Sequence, residues 1–243
     1  MPVDRRLPDA VLFDLGNTLV QYYSRAEFPA LLEESIGQVQ RCLAKHSLPV
    51  IPSELLWLRV RAEDCESADH RVRPMEERLA RIFLPDAAQP HPLMPQMCRA
   101  FMEPIFGRSR LYADTLPTLR ALGSMGLRLA IVSNTAWGSP ASLWREELHR
   151  FGLDALVETS VFCRDVGWRK PAPKVFEHAL RKLGASAERC LFVGDDPRWD
   201  LAGARAVGMK ALLIRRSGEQ SEDQALRNLD ELMVQLQSEC HEP

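Results

Sequence analysis

Basic excess, long apolar runs, paired cysteines and the common nucleotide loops are all missing from this chain, and each gap removes a class of protein. Thirty-one Lys and Arg stand against 33 Asp and Glu, a formal net charge of −2. Nucleic-acid binding usually needs a basic face, so no nucleic-acid partner is expected. The arginines between 59 and 81 are interleaved with Glu and Asp and read as a solvated helical surface. No apolar run approaches the ~20 residues of a membrane span, so no membrane partner is expected. Met1-Pro2-Val3-Asp4-Arg5-Arg6 leads into no signal-peptide apolar segment, which makes a cytoplasmic location the default. The six cysteines (Cys42, Cys65, Cys98, Cys163, Cys190, Cys240) include no C-x-x-C pair. Zinc and disulfide readings therefore have little support, and free thiols are expected. The six histidines show no H-E-x-x-H spacing, and no G-x-S-x-G, G-x-x-x-x-G-K or G-x-G-x-x-G occurs. Several common enzyme classes lose their usual signature here.

What is present begins near the N-terminus. Val11-Leu12-Phe13 runs straight into Asp14, and Gly16-Asn17-Thr18 turns at once. A short apolar run of this kind suits a strand buried on both faces of a parallel sheet. Asp14 would then stand at the strand's carboxyl end, where open α/β sheets place their ligands. A carboxylate there can serve as nucleophile, as metal ligand, or merely as a turn cap.

Downstream, Ser24 with Glu27 has capping-box spacing, and Phe28, Leu31, Leu32, Ile36, Val39 and Leu43 recur at helical intervals. Pro49 and Pro52 end that helix, Ser53 starts another, and a third is expected from about Pro74 to Phe83. Pro85, Pro90, Pro92 and Pro95 predict a loop over 85–95, followed by a short helix at 96–106. From about 111 the pattern alternates: helix to Met125, strand Leu127 to Val132, helix 140–151, strand 156–162, helix through Val175 to Leu183, strand Cys190 to Val193, helix 199–207 and strand Ala211 to Ile214. The charged tail from 219 reads as a surface helix. Strands alternating with helices predict an α/β fold with a doubly wound parallel sheet, Rossmann-like in build, with right-handed crossovers. The helical block 22–109 interrupts this alternation and reads as an inserted all-helical domain, leaving 1–21 and 110–243 as the core.

Three expected strands each end in polar groups: Asp14, Ser133-Asn134 and Asp195. As parallel neighbours they would meet on one sheet edge, within reach of Lys170. Carboxylates suit a hard cation such as Mg²⁺, while hydroxyl, amide and ammonium groups suit phosphate oxygens. Asp14, Asp195, Asp196 and Asp200 could hardly all stay ionised together without a cation or Lys170 to offset them.

These segments resemble the four motifs of the haloacid dehalogenase (HAD) superfamily, in order. Asp14 matches the nucleophile, Ser133 the second motif, Lys170 in Lys-Pro-x-Pro the third, and Gly194-Asp195 through Asp200, with Gly203-Ala204 and Gly208-Met209, the fourth. The insert lies where that superfamily carries its helical cap of the first type. The resemblance implies a hydrolase, with in-line attack by Asp14 on the phosphorus of a small phosphorylated substrate to give an aspartyl-phosphate that water cleaves. It implies Mg²⁺ held by Asp14, the Gly16 carbonyl and Asp195, with Asp200 orienting these ligands or acting through water. Ser133, the Asn134 backbone and Lys170 would hold the phosphoryl oxygens.

Gly16 departs from the pattern, because phosphatases of the family usually carry there an aspartate that protonates the leaving group. A general acid contributes ~10²–10⁴ in rate. Several readings follow. Another group could supply the proton: Glu66, Asp69 or His70 from the insert, or Asp196. Acyl or aryl phosphates would need little protonation. The branches that cleave carbon–halogen or phosphonate bonds also lack the aspartate, although similar dehalogenases work without metal and Asp195 argues against them. A phosphonatase would need a lysine in the insert, where Lys45 is the one available, on a helix that could equally show it to water. A weak phospho-ligand or partner-binding module is a third reading, and an unrelated binding or structural function on a fold that only looks similar is the fourth. Trp137 and Trp168 could stack on a substrate or simply pack; Asn17 and Thr18 are expected to fix the turn, and Trp199 to lie in the core. Cap motion predicts hinges near 20–24 and 107–113.

Overall fold

The computed structural model describes residues 7–63, 68–88, 90–216 and 225–241. Its centre is a five-stranded sheet in the order β5-β4-β1-β6-β7, with every pairing parallel. The strands are β1 (Ala10–Phe13), β4 (Arg128–Ser133), β5 (Thr159–Phe162), β6 (Cys190–Gly194) and β7 (Lys210–Leu213). β1 lies in the middle, between β4 and β6, and all four of its residues are buried. Alternate side chains feed two apolar layers, as the period of a strand requires. Val11, Phe13, Ile131 and Val193 join one core cluster; Leu12, Ala130, Val132 and Phe192 join the other. Burial on both faces is why these strands are apolar throughout instead of alternating. The second layer is closed by α8 (Pro173–Leu183), whose Val175, Phe176 and Ala179 are fully buried.

Between the first and second core strands the chain forms α1 (Phe28–Lys45), α2 (Ser53–Arg61), α3 (Met75–Phe83) and α4 (Met94–Arg108). α1 packs along α4, with Leu31, Ile36, Val39 and Leu43 buried in the same cluster as Met97, Phe101 and Met102. α1 begins at Phe28, later than Ser24. The Ser24 N–H does donate to Glu27 Oε2 at 2.7 Å, but 25–27 form a turn and Pro29 occupies the first helical turn. α4 begins before Pro95 and runs past Pro104. Proline in a first turn loses nothing, since that N–H has no helical partner, so the expected loop is shorter and the helix longer.

The chain enters and leaves this helical block through a two-stranded antiparallel ribbon, β2 (Val20–Gln21) with β3 (Arg110–Leu111). Such short strands carry no periodicity and were not predictable. Three further helices follow along the core: α5 (Thr115–Ser124), α6 (Ala141–Arg150) and the short α7 (Cys163–Val166). The expected helix 199–207 is a wide π-type turn over Pro197–Leu201 leading into α9 (Ala202–Ala206). The tail differs from a surface helix: α10 (Leu229–His241) contacts α5 and buries Leu229, Leu232 and Leu236. Residues 219–224 of that segment lie outside the described residues.

Candidate active site

The parallel register brings the ends of β1, β4 and β6 to one edge of the sheet. Asp14 follows β1 directly, and its N–H donates to Val193 O at 2.9 Å. Ser133 closes β4 and is buried, with its Oγ donating to Asn134 O at 3.2 Å. Asp195 follows β6, and Asp200 reaches back over Gly194 from the π-type turn. A Cβ on Gly194 would sit 2.4 Å from Asp200 Oδ2, so only glycine admits the carboxylate here. The Asp196 N–H donates to Asp200 Oδ2 at 3.1 Å, while Asp196 Oδ1 accepts from the N–H groups of Arg198 and Trp199. Asp196 is thus an N-cap of the turn that holds Asp200 in place.

Lys170 joins these elements. Its N–H donates to Asn134 Oδ1 at 2.8 Å, and Asn134 Nδ2 donates to Lys170 O at 3.3 Å. This side-chain clamp is a role for Asn134 that its motif position did not reveal. Lys170 Nζ donates to Asp14 Oδ1, to Asp200 Oδ1 at 2.6 Å and to Val132 O at 3.1 Å, which satisfies all three ammonium hydrogens. Burial by itself would lower the pKa of this ammonium; Asp14 and Asp200 outweigh it and hold it above the ordinary lysine value.

Electrostatically, the cluster has a surplus of acid. Burial, reinforced by repulsion from Asp14 and Asp200, pushes Asp195 up to about 8. Burial likewise raises Asp200 to about 6, with Lys170 opposing and Asp14 reinforcing the shift. Oxygens of Asp14, Asp195 and Asp200 lie within 4.8 Å of one another. Three hard oxygen donors, two of them driven toward protonation by burial and by repulsion from their acidic neighbours, fit a hard divalent cation.

A cavity of about 520 Å³ opens over this cluster. Gly16, Ser133, Asn134 and Asp195 line its floor, with Tyr22, Tyr23, Arg25 and Phe28 contributed from the ribbon and the approach to α1. Arg169 and Trp199 line it as well; sequence reasoning missed Arg169 and placed Trp199 in the core, whereas its ring is half-buried at the cavity wall. The Tyr22 ring stands beside Gly16, with Cδ2 3.7 Å from where a Cβ would be. Its hydroxyl is buried without a hydrogen-bond partner, and burial, then Glu147, pushes the phenol well above its ordinary pKa.

Other expected residues fall elsewhere. Asp69 is tied to Arg73 at 2.9 Å and to the Arg71 N–H at 3.0 Å. Glu66 lies outside the described residues. His70 packs edge-on against Trp199, with ring centroids 6.1 Å apart, and its buried Nδ1 has no partner. Lys45 is exposed at the C-terminal end of α1. Trp137 lines the cavity but stacks on Phe101 at 4.8 Å with Arg78 over its ring at 3.6 Å, so it packs. Trp168 lies under the cationic ends of Arg71 and Lys174. Asn17 fixes the turn, accepting from the Tyr22 N–H and donating to Tyr23 O. Thr18 does not do so through its hydroxyl, which is buried and unpartnered.

An open parallel sheet with an acid–lysine–hydroxyl cluster at its carboxyl edge defines a Rossmann-like α/β enzyme. The chain belongs to the haloacid dehalogenase-like hydrolases, whose family profile matches residues 8–208. It is 31% identical over 225 residues to a glyceraldehyde 3-phosphate phosphatase of Methanopyrus kandleri, covering 92% of this chain and 90% of that one. It is also 31% identical to a phosphoserine phosphatase of Thermus thermophilus, over 89% of this chain and 83% of the relative. Among solved structures it is similar to a HAD phosphatase from Thermococcus onnurineus, with a TM-score of 0.64, 26% identity and coverage of 94% and 97%. The protein is a hydrolase.

Proposed function

We propose that this hydrolase is a Mg²⁺-dependent phosphatase of small phosphorylated metabolites that works through an aspartyl-phosphate on Asp14. The observation that carries the reading is the convergence of Asp14, Asp195 and Asp200, the first and last bonded to Lys170, beneath the floor of one cavity. Lys170 engages Asp14 Oδ1, and Oδ2 accepts no hydrogen bond among the described residues, which leaves that oxygen to attack phosphorus. Ser133 donates to a phosphoryl oxygen as charge develops, the Lys170 ammonium, its three hydrogens taken by Asp14, Asp200 and Val132 O, offsets that charge through its field, and Asn134 keeps Lys170 in register through its side chain. Asp14, the Gly16 carbonyl and Asp195 would hold Mg²⁺, with Asp200 orienting them, and the ion would supply positive charge that offsets the carboxylates and the phosphoryl group. Helices α1–α4, within 22–109, act as a cap on the core formed by 1–21 and 110–243, and the ribbon β2–β3 is its neck. The free thiols Cys42, Cys98, Cys163 and Cys190 agree with a cytoplasmic location.

Gly16 favours a narrower version. With no carboxylate there, the enzyme depends on substrates that leave easily or on a proton from another group. Asp196 is committed to its turn and Asp69 to Arg73, so Glu66 and His70, whose ring meets the cavity-lining Trp199, are the candidates carried forward. The same vacancy favours, as a second reading, a phosphonate or carbon–halogen substrate, or a weak phospho-ligand-binding role.

Phosphate release from esters, anhydrides and acyl phosphates graded by leaving-group pKa, with Mg²⁺ or EDTA and with Asp14→Asn as control, separates these. Metal-dependent turnover lost in the variant supports the phosphatase. A steep dependence on leaving-group pKa means no acid, and a shallow one means that another residue donates. No release above the variant moves the assignment to the second reading.

A further inference from the structure

We infer that the cavity over Asp14 is built for a phosphoester carrying a second anionic oxyacid group, and that Arg169 receives that group. The inference rests on the phosphatase reading and specifies its substrate class. Arg169 is held by its backbone, whose N–H donates to His70 O at 2.7 Å, and it precedes the clamped Lys170. Its guanidinium lies 5.2 Å from the centre of the Trp199 ring, and Arg169 and Trp199 line the same cavity as Ser133 and Asp195. Yet Nε and Nη2 are both buried, and neither donates to any acceptor.

An arginine cannot discharge itself, so buried guanidinium hydrogens without an acceptor cost more than an ordinary lost hydrogen bond. Nε–H and Nη2–H form one edge of the guanidinium fork, the edge that meets two oxygens of a carboxylate or phosphate side by side. The rest of the cavity wall supplies no competing anion. Its charged lining among the described residues is Arg25, Arg169 and Asp195, and Asp195 belongs to the acidic cluster. Arg25 pairs with Asp196 at 3.3 Å from a side chain that is 72% exposed. Away from the acidic cluster, the cavity is therefore positive, and a substrate with a neutral remainder leaves Arg169 unsatisfied.

The test uses ethyl phosphate, phosphoglycolate and ethylene glycol bisphosphate, which share a two-carbon unit and differ in the second group. Each is assayed for kcat/KM with wild type, Arg169→Gln and Arg169→Lys, and titrated calorimetrically into Asp14→Asn with and without Arg169→Gln. A site built for the second group favours at least one anionic compound over ethyl phosphate by about tenfold or more. That ratio collapses in Arg169→Gln and is partly kept in Arg169→Lys, chiefly through KM; whichever anionic compound gains identifies carboxylate or phosphate as the partner. No preference, or a preference that survives Arg169→Gln, overturns the inference. If wild type releases no phosphate above Asp14→Asn, the phosphatase reading fails, and the titrations still decide the role of Arg169 by the same ratio.

Discussion

Lys170 Nζ stands 2.6 Å from Asp200 Oδ1, with the two side chains only 3% and 2% exposed. The ammonium bridges from there to Asp14, so one buried cation holds the carboxylate that follows β1 and the carboxylate beyond β6 together. Breaking one partner of a buried ion pair typically costs ~3–5 kcal/mol, because the other is left uncompensated. Lys170→Met should lower metal-free stability by about that amount and abolish turnover. Mg²⁺ should restore part of the stability and none of the activity. Urea unfolding with EDTA and with Mg²⁺ checks this; a variant as stable as wild type in EDTA would contradict the bridging role.

The raised carboxyls set a pH dependence whose sign follows from linkage. Asp195 and Asp200 bind protons more tightly folded than unfolded, at about 8 and about 6 against an unfolded value of 3.8. Between those limits the folded state carries the extra protons, so metal-free stability must fall as pH rises from about 4 to about 8. Asp195→Asn removes most of the slope above pH 6, and Mg²⁺, which favours the ionised carboxyls, flattens or reverses it. Melting temperatures across this range in EDTA read the effect directly; a curve that rises between pH 6 and 8 refutes it.

Gly16 is not required by the backbone. Its φ is outside the left-handed region, and an added Cβ meets only Tyr22 Cδ2, at 3.7 Å. Gly16→Asp should therefore fold, lose some metal-free stability through a further carboxylate, and gain up to ~10²-fold in kcat on alkyl phosphates. The gain should shrink for aryl and acyl phosphates, so a plot of log kcat against leaving-group pKa becomes shallower. An equal gain, or none, along the series would mean that protonation does not limit the native enzyme.

α10 belongs to the core, since Leu229 and Leu232 are fully buried and α10 packs on α5. Leu232→Ala should cost about 2–5 kcal/mol, as buried leucine truncations do, while leaving kcat/KM intact at low temperature. Denaturant unfolding gives the number; a loss under about 0.5 kcal/mol would return this helix to the surface.

The strands that carry the candidate site were legible because burial on both faces writes them as apolar runs, each ending in a polar group: Phe13 before Asp14, Val132 before Ser133, Gly194 before Asp195. Helix boundaries were less so. Pro95 looked like a breaker and proved to be a first-turn residue, and the Ser24–Glu27 pair forms one half of its capping bond without starting a helix. The ribbon β2–β3 was hidden because two-residue strands have no period; the tail was expected as a helix, and its charged residues from 219 on obscured the leucines that α10 buries.

By itself, then, the sequence determined the order of strands and helices, the family, and which side chains meet at the sheet edge, since local hydrophobic patterning and short motifs act within a few residues. Only the tertiary structure decided the remainder. It placed Lys170 between Asp14 and Asp200 across 156 and 30 residues of chain, committed Asp196 and Asp69 to other partners, and left Arg169, at the cavity wall, with buried unmatched donors. Those facts depend on burial and on which distant groups compete for each hydrogen bond, and both arise only when the chain has packed.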